Sequence, residues 1–432
     1  MNREQVVCAD CLEHMRTMPE NSVDAIVTDP PYGLAFMGVA WDTFGDGRKG
    51  CGRTNATFDQ VGGNHHPTCS ADQARTRKSE NAKFQVAMTP IFEEALRVAK
   101  PGAHLLCFGG TRTFHRMACA IEDSGWDIRD SILWVWSYGQ GFPKSMDVGK
   151  AIDKALGAKR EKVPATGGLT NNRNLNDDNW SKIGQSNPMM DGPEPATAAA
   201  AAWDGWGTCL KPAWEPIIVA RKPLDGTVAH NVLTWGVGAL NIDACRVEYE
   251  SESDREQAKP QGAATSKIGA FAGKSQNEAD RTEFVPTQKH GRFPANLVHD
   301  GSQMVLDLFP QSKGQLADRK AQAKSSVNCY GDYGTDSEFK KRGDSGSAAR
   351  FFYCAKTSKK ERGEGNGHPT VKPIALMKWL VTLVTPEGGV VLDPFAGSGT
   401  TLLACRELGR SCIGIEREPE YVEIIKRRLG EE

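Results

Sequence analysis

The sequence predicts a doubly wound α/β fold on a mostly parallel sheet, and three observations carry that expectation. Short apolar runs suited to buried strands alternate with runs of helical spacing near both ends of the chain. A glycine turn at Gly397 and Gly399 stands between one such strand and the helix after it. Another strand breaks off at two consecutive prolines in Asp29-Pro30-Pro31-Tyr32.

Taken in order, Val23 to Val27 is a buried strand that stops at the prolines, which can neither continue a strand nor open a helix. Beyond a glycine-rich polar stretch, Ile91 to Ala99 has helical spacing and is closed by Lys100-Pro101-Gly102. His104 to Phe108 reads as a strand, Thr113 to Asp123 as a helix and Ser131 to Trp136 as a strand. From about Gly157 to Ala202 the chain is rich in Asn, Asp, Gly and Pro and ends in the alanine run Ala198 to Ala202, which reads as an inserted loop or a flexible connection. Trp214 to Arg221 is again a strand. Residues 224–350 are polar and rich in Gly and Ser, with short apolar islands at Val232 to Leu240 and Phe293 to Val298. Between Gln311 and Arg350 eight Lys/Arg face five acids, a pattern open to a solvated loop and to a DNA-contacting surface alike. The last 80 or so residues alternate once more: a helix from Pro373 to Val384, the strand Val390 to Leu392, the glycine turn with its helix, the strand Cys412 to Ile415 and a final helix over Pro419 to Leu429.

Composition narrows the functional classes. At roughly 150 residues per domain, 432 residues make two or three structural units. With 53 Lys+Arg against 54 Asp+Glu the net charge is −1, so any nucleic-acid contact uses local basic surface and not bulk charge. No run approaches the ~20 apolar residues of a membrane span. The first ten residues have no basic flank leading into an apolar run, so no secretory signal is expected. Twelve cysteines without a framework spacing fit free thiols and a cytoplasmic location. Cys51, His65, His66 and Cys69 have ligand chemistry but lack the spacing of a zinc site, and no metal is expected. Cys8 and Cys11 are spaced Cys-x-x-Cys but flank Asp10, where no redox role is needed.

Two constellations carry chemistry. Gly397 and Gly399 let backbone N–H groups approach a nucleotide-like ligand at a helix start, and equally suit a simple tight turn. Thr400-Thr401 in place of a Lys excludes a Walker loop, and Leu402 fits a dinucleotide fingerprint poorly. Glu416, ending the next strand, is placed to accept from ribose hydroxyls. Asp29, the Pro30 carbonyl and the Tyr32 ring put a carboxylate, a free acceptor and an aromatic plate within four residues. Such a group can accept both hydrogens of an exocyclic amine and stack on its ring; it also reads as a strand ended by Pro-Pro with a capping Asp.

Together these motifs resemble the S-adenosylmethionine-dependent amino-methyltransferases of DNA in the beta arrangement, where Asp29-Pro30-Pro31-Tyr32 comes first and Asp393-Pro-Phe-Ala-Gly-Ser-Gly-Thr-Thr401 last. Val7-Cys8-Ala9-Asp10-Cys11-Leu12 and His368-Pro369-Thr370-Val371-Lys372-Pro373 resemble two further segments of that family, and Trp214 to Lys222 its late sheet hairpin. The resemblance covers residues 1 to about 145 and 351–432. It implies a seven-stranded Rossmann-like sheet with permuted motif order. The halves are then 1–156, catalytic, and 351–432, cofactor-binding, with an insertion at 157–206, the hairpin at 207–223 and a target-recognition region at 224–350.

The resemblance also assigns roles. Asp29, Pro30, Pro31 and Tyr32 are catalytic. Asp10 and Cys11, Thr370 and Lys372, and Asp393, Phe395, Gly397, Ser398, Gly399 and Thr400 line the cofactor, with Glu416 on its ribose. The substrate is double-stranded DNA with its target base flipped out. Asp at the first motif position favours adenine N6; the alternatives are cytosine N4 and, from another class, a catalytically silent cofactor-dependent DNA binder. A restriction endonuclease partner and a solitary enzyme, a monomer and a homodimer, all remain compatible with the sequence.

Overall fold

A computed structural model of the protein describes residues 4–33, 68–137, 145–164, 189–252, 254–255, 291–315, 342–355, 366, 368 and 371–431. In chain order they form β1 (Glu4–Cys8), α1 (Cys11–Thr17), β2 (Val23–Thr28), α2 (Thr68–Val98), β3 (Ala99–Phe108), α3 (Phe114–Asp123), β4 (Asp127–Val135), α4 (Val148–Ala155), β5 (Lys162–Pro164), β6 (Met189–Asp191), α5 (Ala198–Ala201) and β7 (Trp214–Arg221). There follow α6 (Val228–Trp235), β8 (Leu297–His299), α7 (Gln303–Leu306), β9 (Gln311–Gln315), β10 (Arg342–Ser347), β11 (Tyr353–Cys354), α8 (Ile374–Val384), β12 (Val390–Asp393), α9 (Thr400–Glu407), β13 (Ser411–Glu416) and α10 (Pro419–Arg428). Two units are distinguished, one of residues 1–44, 79–137 and 214–432, the other of residues 45–78 and 138–213.

The first unit holds a sheet of order β1-β13-β12-β2-β3-β7-β4-β8-β11. Strand β7 runs antiparallel to both of its neighbours, and the other pairs are parallel. The seven expected strands are therefore extended by two short ones, β8 and β11. Side chains alternate across the central strands as the two-residue period requires. Ala25, Val27, Leu106 and Phe108 pack on one face with Leu376, Leu380 and Leu402. Ile26, Leu105 and Cys107 pack on the other with Met15, Phe92 and Met117. Burial on both faces explains why β2 reads as a continuous apolar run.

Three elements differ from expectation. Helix α2 starts at Thr68, not near Ile91, because the spacing of Phe84, Met88, Phe92 and Ala95 carries one buried stripe upstream of the residues whose pattern is plain. Lys100-Pro101-Gly102 does end that helix, yet it lies inside β3, where the Lys100 ammonium pairs with Asp24 at 2.5 Å. The alanine run is a single helical turn and not a loop: Thr197 Oγ1 accepts from Ala200 N at 3.1 Å, and alanine needs little more than a cap to turn helical. The described parts of 224–350 belong to the first unit, to whose sheet they contribute β8.

In the second unit α4 and α5 pack together beside the antiparallel pair β5–β6. Its polar centre is Asp153, whose carboxylate accepts from Arg160 Nε at 2.7 Å, Ala196 N at 3.0 Å and Thr197 Oγ1 at 2.8 Å. These bonds hold that carboxyl below the ordinary carboxylate range, against the opposing effect of burial. No described helix is long and apolar enough to cross a membrane.

Candidate active site

Parallel strands deliver their C-terminal ends to one edge of a sheet, and ligands bind there in open α/β folds. At this edge β2 ends at Thr28, followed by Asp29-Pro30-Pro31-Tyr32, and its neighbour β12 ends at Asp393, followed by the glycine turn. Asp393 joins the two motifs. Its buried carboxylate accepts from Thr28 Oγ1 at 2.7 Å, Thr401 Oγ1 at 2.5 Å and Phe395 N at 3.1 Å. Burial pushes its pKa up to about 6; the three donors oppose the rise, and the charge of Asp29 adds to it.

Tyr32 is anchored through its backbone, where Thr113 Oγ1 donates to the Tyr32 carbonyl at 2.6 Å. Its ring lies on Gly110, where a Cβ would come within 3.0 Å of Cδ2. The Tyr32 hydroxyl donates to Asp29 Oδ1 at 2.7 Å. Burial, then the charges of Asp29 and Glu215, raise the Tyr32 pKa well above the phenolic value, so it remains a donor.

Two residues complete this cluster. Strand β7 is antiparallel, so it brings its N-terminal end to the edge where the parallel strands end. Glu215 stands there, paired in register with Trp134 of β4. Lys372, just before α8, lies between the acids: its Nζ is 2.8 Å from Asp29 Oδ2, 3.0 Å from Glu215 Oε2 and 3.3 Å from the Tyr32 hydroxyl. The ammonium also sits 4.7 Å from the centre of the Phe108 ring, a cation–π contact. Burial alone would depress the Lys372 pKa, but the charges of Asp29 and Glu215 outweigh it and the pKa is raised. Glu215 is raised as well, by burial first, with Lys372 opposing and Asp29 adding. In this structure the Lys372 charge is paired with Asp29 of the tetrapeptide and with Glu215. Sequence reasoning gave Glu215 no role, although it is the one acid of β7.

On the cofactor side, Gly397 and Gly399 take left-handed conformations, φ +54° and +79°, which L side chains adopt reluctantly. A Cβ on Gly399 would lie 2.8 Å from Ile425 Cγ2, and one on Gly397 3.0 Å from His368 Nε2. Glu416 Oε2 accepts from Gly397 N at 2.8 Å and Oε1 from Glu418 N at 2.9 Å, fixing the carboxylate beside the turn. Burial raises its pKa, and these N–H groups oppose the rise.

Asp10 follows β1, whose last residue Cys8 is in register with Glu416 of β13, so the two acids share the sheet edge. Asp10 is exposed and caps α1, its Oδ1 accepting from Leu12 N at 3.0 Å and Glu13 N at 3.1 Å. The side chains of three expected cofactor residues make contacts within the fold. The Cys11 side chain is part of the core, its thiol pushed up to about 12 by burial. Ser398 and Thr400 are buried, and both hydroxyls accept from Arg428 at 3.1 and 3.3 Å. Their side chains brace the turn against α10. Thr370 and the side chains of Cys51, His65, His66 and Cys69 lie outside the described residues.

A carboxylate, a proline carbonyl and an aromatic ring beside a glycine turn with a ribose-competent acid form a site for moving a group from a nucleoside-like donor to a planar amine. The chain matches the family model described as DNA methylase over residues 23–427 and belongs to that family, the N6/N4 amino-methyltransferases of DNA. Among its relatives, the type II methyltransferase M.HindIII of Haemophilus influenzae is 22% identical over 432 residues, 98% of this chain and 94% of that protein. M.HpaI of Haemophilus parainfluenzae is 45% identical over 84 residues, 19% of this chain and 24% of the relative. Among solved structures, the M1.HpyAVI–SAM complex aligns with a TM-score of 0.38 at 15% identity, covering 99% of this chain and 98% of that one. The PvuII DNA methyltransferase, titled cytosine-N4-specific, aligns at 0.39 and 12%, covering 99% and 86%.

Proposed function

We propose that this member of the family methylates the N6 amine of a flipped-out adenine in double-stranded DNA. The observation that carries the proposal is the geometry of Asp29 and Tyr32. The Tyr32 hydroxyl donates to the carboxylate oxygen that an amine hydrogen would use, so an entering base exchanges one donor for another at Asp29 Oδ1. The Tyr32 ring supplies the stacking surface, and the Pro30 carbonyl is the second acceptor. Holding both amine hydrogens draws the nitrogen lone pair out of the ring, and the fixed acceptors need no reorganisation as charge develops. Asp in place of the Ser more frequent among the cytosine enzymes supports adenine over cytosine.

S-adenosylmethionine, when bound, supplies an electrophilic methyl on a sulfonium. The donor set here suits it. Glu416 presents a fixed carboxylate to a diol, the glycine turn leaves room for a chain running past it, and two carboxylates against one ammonium leave the catalytic cluster with a surplus negative charge that favours a cation. Residues 224–350 are proposed to carry target recognition, with Lys and Arg on phosphates.

The test incubates the protein with unmethylated DNA and S-adenosylmethionine and analyses the nucleosides by mass spectrometry. N6-methyladenine is expected from the wild type and none from Asp29→Ala. N4-methylcytosine would overturn the base assignment, and no product from protein that binds the donor would overturn catalysis.

A further inference from the structure

Glu215 contributes charge to the cluster but touches neither reacting group, yet an acid in a central strand, beside a lysine already paired to another acid, is costly to keep. Its Oε2 is buried, and the groups that face it with protons to give are the Lys372 ammonium and the Tyr32 hydroxyl. The Lys372 ammonium is 3.0 Å away, within reach for handing a proton to that oxygen. We propose that Glu215 is the terminal acceptor of the proton that methylation releases, reached from Asp29 through Lys372. This rests on the methyltransferase reading of the site.

As the N–C bond forms and the donor's S–C bond breaks, the exocyclic nitrogen carries the methyl, two hydrogens and a positive charge. One proton passes to the Asp29 carboxylate, leaving a neutral methylated amine. The Asp29 carboxyl turns about Cβ–Cγ to present that proton on the side of Lys372, 2.8 Å away. Lys372 gives one of its three protons to Glu215 Oε2 and takes the one from Asp29. At the end Lys372 is again an ammonium, Asp29 again a carboxylate, and Glu215 an acid. Lys372 never carries a net change, which suits an ammonium held between two carboxylates. Burial, which raises the Glu215 pKa, makes it the better resting place for the proton. The groups facing it are Lys372, Asp29 and Tyr32, with Cys107 of β3 beside Tyr32 and Asp393 of β12 beside Asp29.

Two measurements test this. In wild-type protein without cofactor, carboxyl ¹³C NMR, with Glu215 assigned by the signal lost in Glu215→Gln, is expected to show a midpoint above the ordinary Glu range that moves in Asp29→Asn. An ordinary midpoint indifferent to Asp29 overturns the proposal, and this readout needs no active variant. In single-turnover methyl transfer, Glu215→Gln is expected to be slower by about 100-fold, in the range of general acid–base catalysis, and to lose the acid limb of the pH profile. Gln still offers Lys372 an oxygen, so a residue that merely orients Lys372 would leave the pH profile unchanged, and that result also overturns the proposal. Activity retained by Asp29→Ala would instead sink the reading of the site as a whole.

Discussion

Asp393 offers a quantitative test of how the two motifs are joined. Its folded pKa of about 6 lies above the 3.8 of an unperturbed Asp, so the folded chain binds this proton more tightly than the unfolded chain does. A raised folded pKa contributes stability that is fully present below the unfolded value and lost as pH rises through the folded one. The window is therefore about pH 4 to 6. At 1.36 kcal/mol per pH unit the loss amounts to about 3 kcal/mol, an order-of-magnitude figure. His104 acts in the opposite direction over nearly the same window. Burial, then the charges of Arg221 and Arg129, lower its pKa from 6.5 to about 4, so it withdraws stability as pH falls. The two contributions offset each other in the wild-type curve, and the difference between wild type and Asp393→Asn isolates the carboxylate. Urea denaturation at pH 4 to 8, followed by hydrogen-exchange mass spectrometry of the peptide containing 390–393, reads the first unit by itself. Relative to wild type, the variant should gain about 3 kcal/mol between pH 4 and 7. A difference constant to within about 0.5 kcal/mol would refute the buried-carboxylate argument.

Three other substitutions probe separate parts of the molecule. Gly399→Ala forces a Cβ into a left-handed residue against Ile425, and should cost about 1–3 kcal/mol in thermal denaturation while weakening S-adenosylmethionine binding in calorimetry. Glu416→Ala removes the acceptor beside the turn, and its donor Kd should rise by roughly ten- to a hundredfold, as for losing a charged hydrogen-bonding group; an unchanged Kd removes Glu416 from the site. Asp153→Ala leaves Arg160, the Ala196 N–H and the Thr197 hydroxyl without their common acceptor, so amides of Val148–Ala155 should exchange faster while those of β2 keep their protection; equal loosening of both would contradict the division into units.

How much of this was legible in the sequence depends on whether a signal was local. The β2 strand and its prolines, the glycine turn and the helices at 374–384 and 419–428 announce themselves through short-range pattern, and they fall where the pattern puts them. Strand β8 has three residues, too few for a period, and is held by its partners β4 and β11. The site was half readable. Asp29 and Tyr32 lie in one tetrapeptide, whereas Glu215 and Lys372 acquire their meaning only when an antiparallel strand and the approach to α8 meet at one sheet edge. The segment 368–373 draws attention to Lys372 in the sequence, but only its neighbours in space show the two acids it pairs with.

The hydrogen bond from Thr28 to Asp393 spans 365 residues of sequence, and β12 pairs directly with β2. Contacts of such separation pay their loop-closure entropy before they return any stabilisation, and they form late. During synthesis the tetrapeptide emerges first and waits, its strand bordered on one side only, until residue 393 and then the Glu416 strand have left the ribosome. The order of translation thus acts as a timer: the two sides of the candidate site are joined together, and only after the Glu416 strand is available.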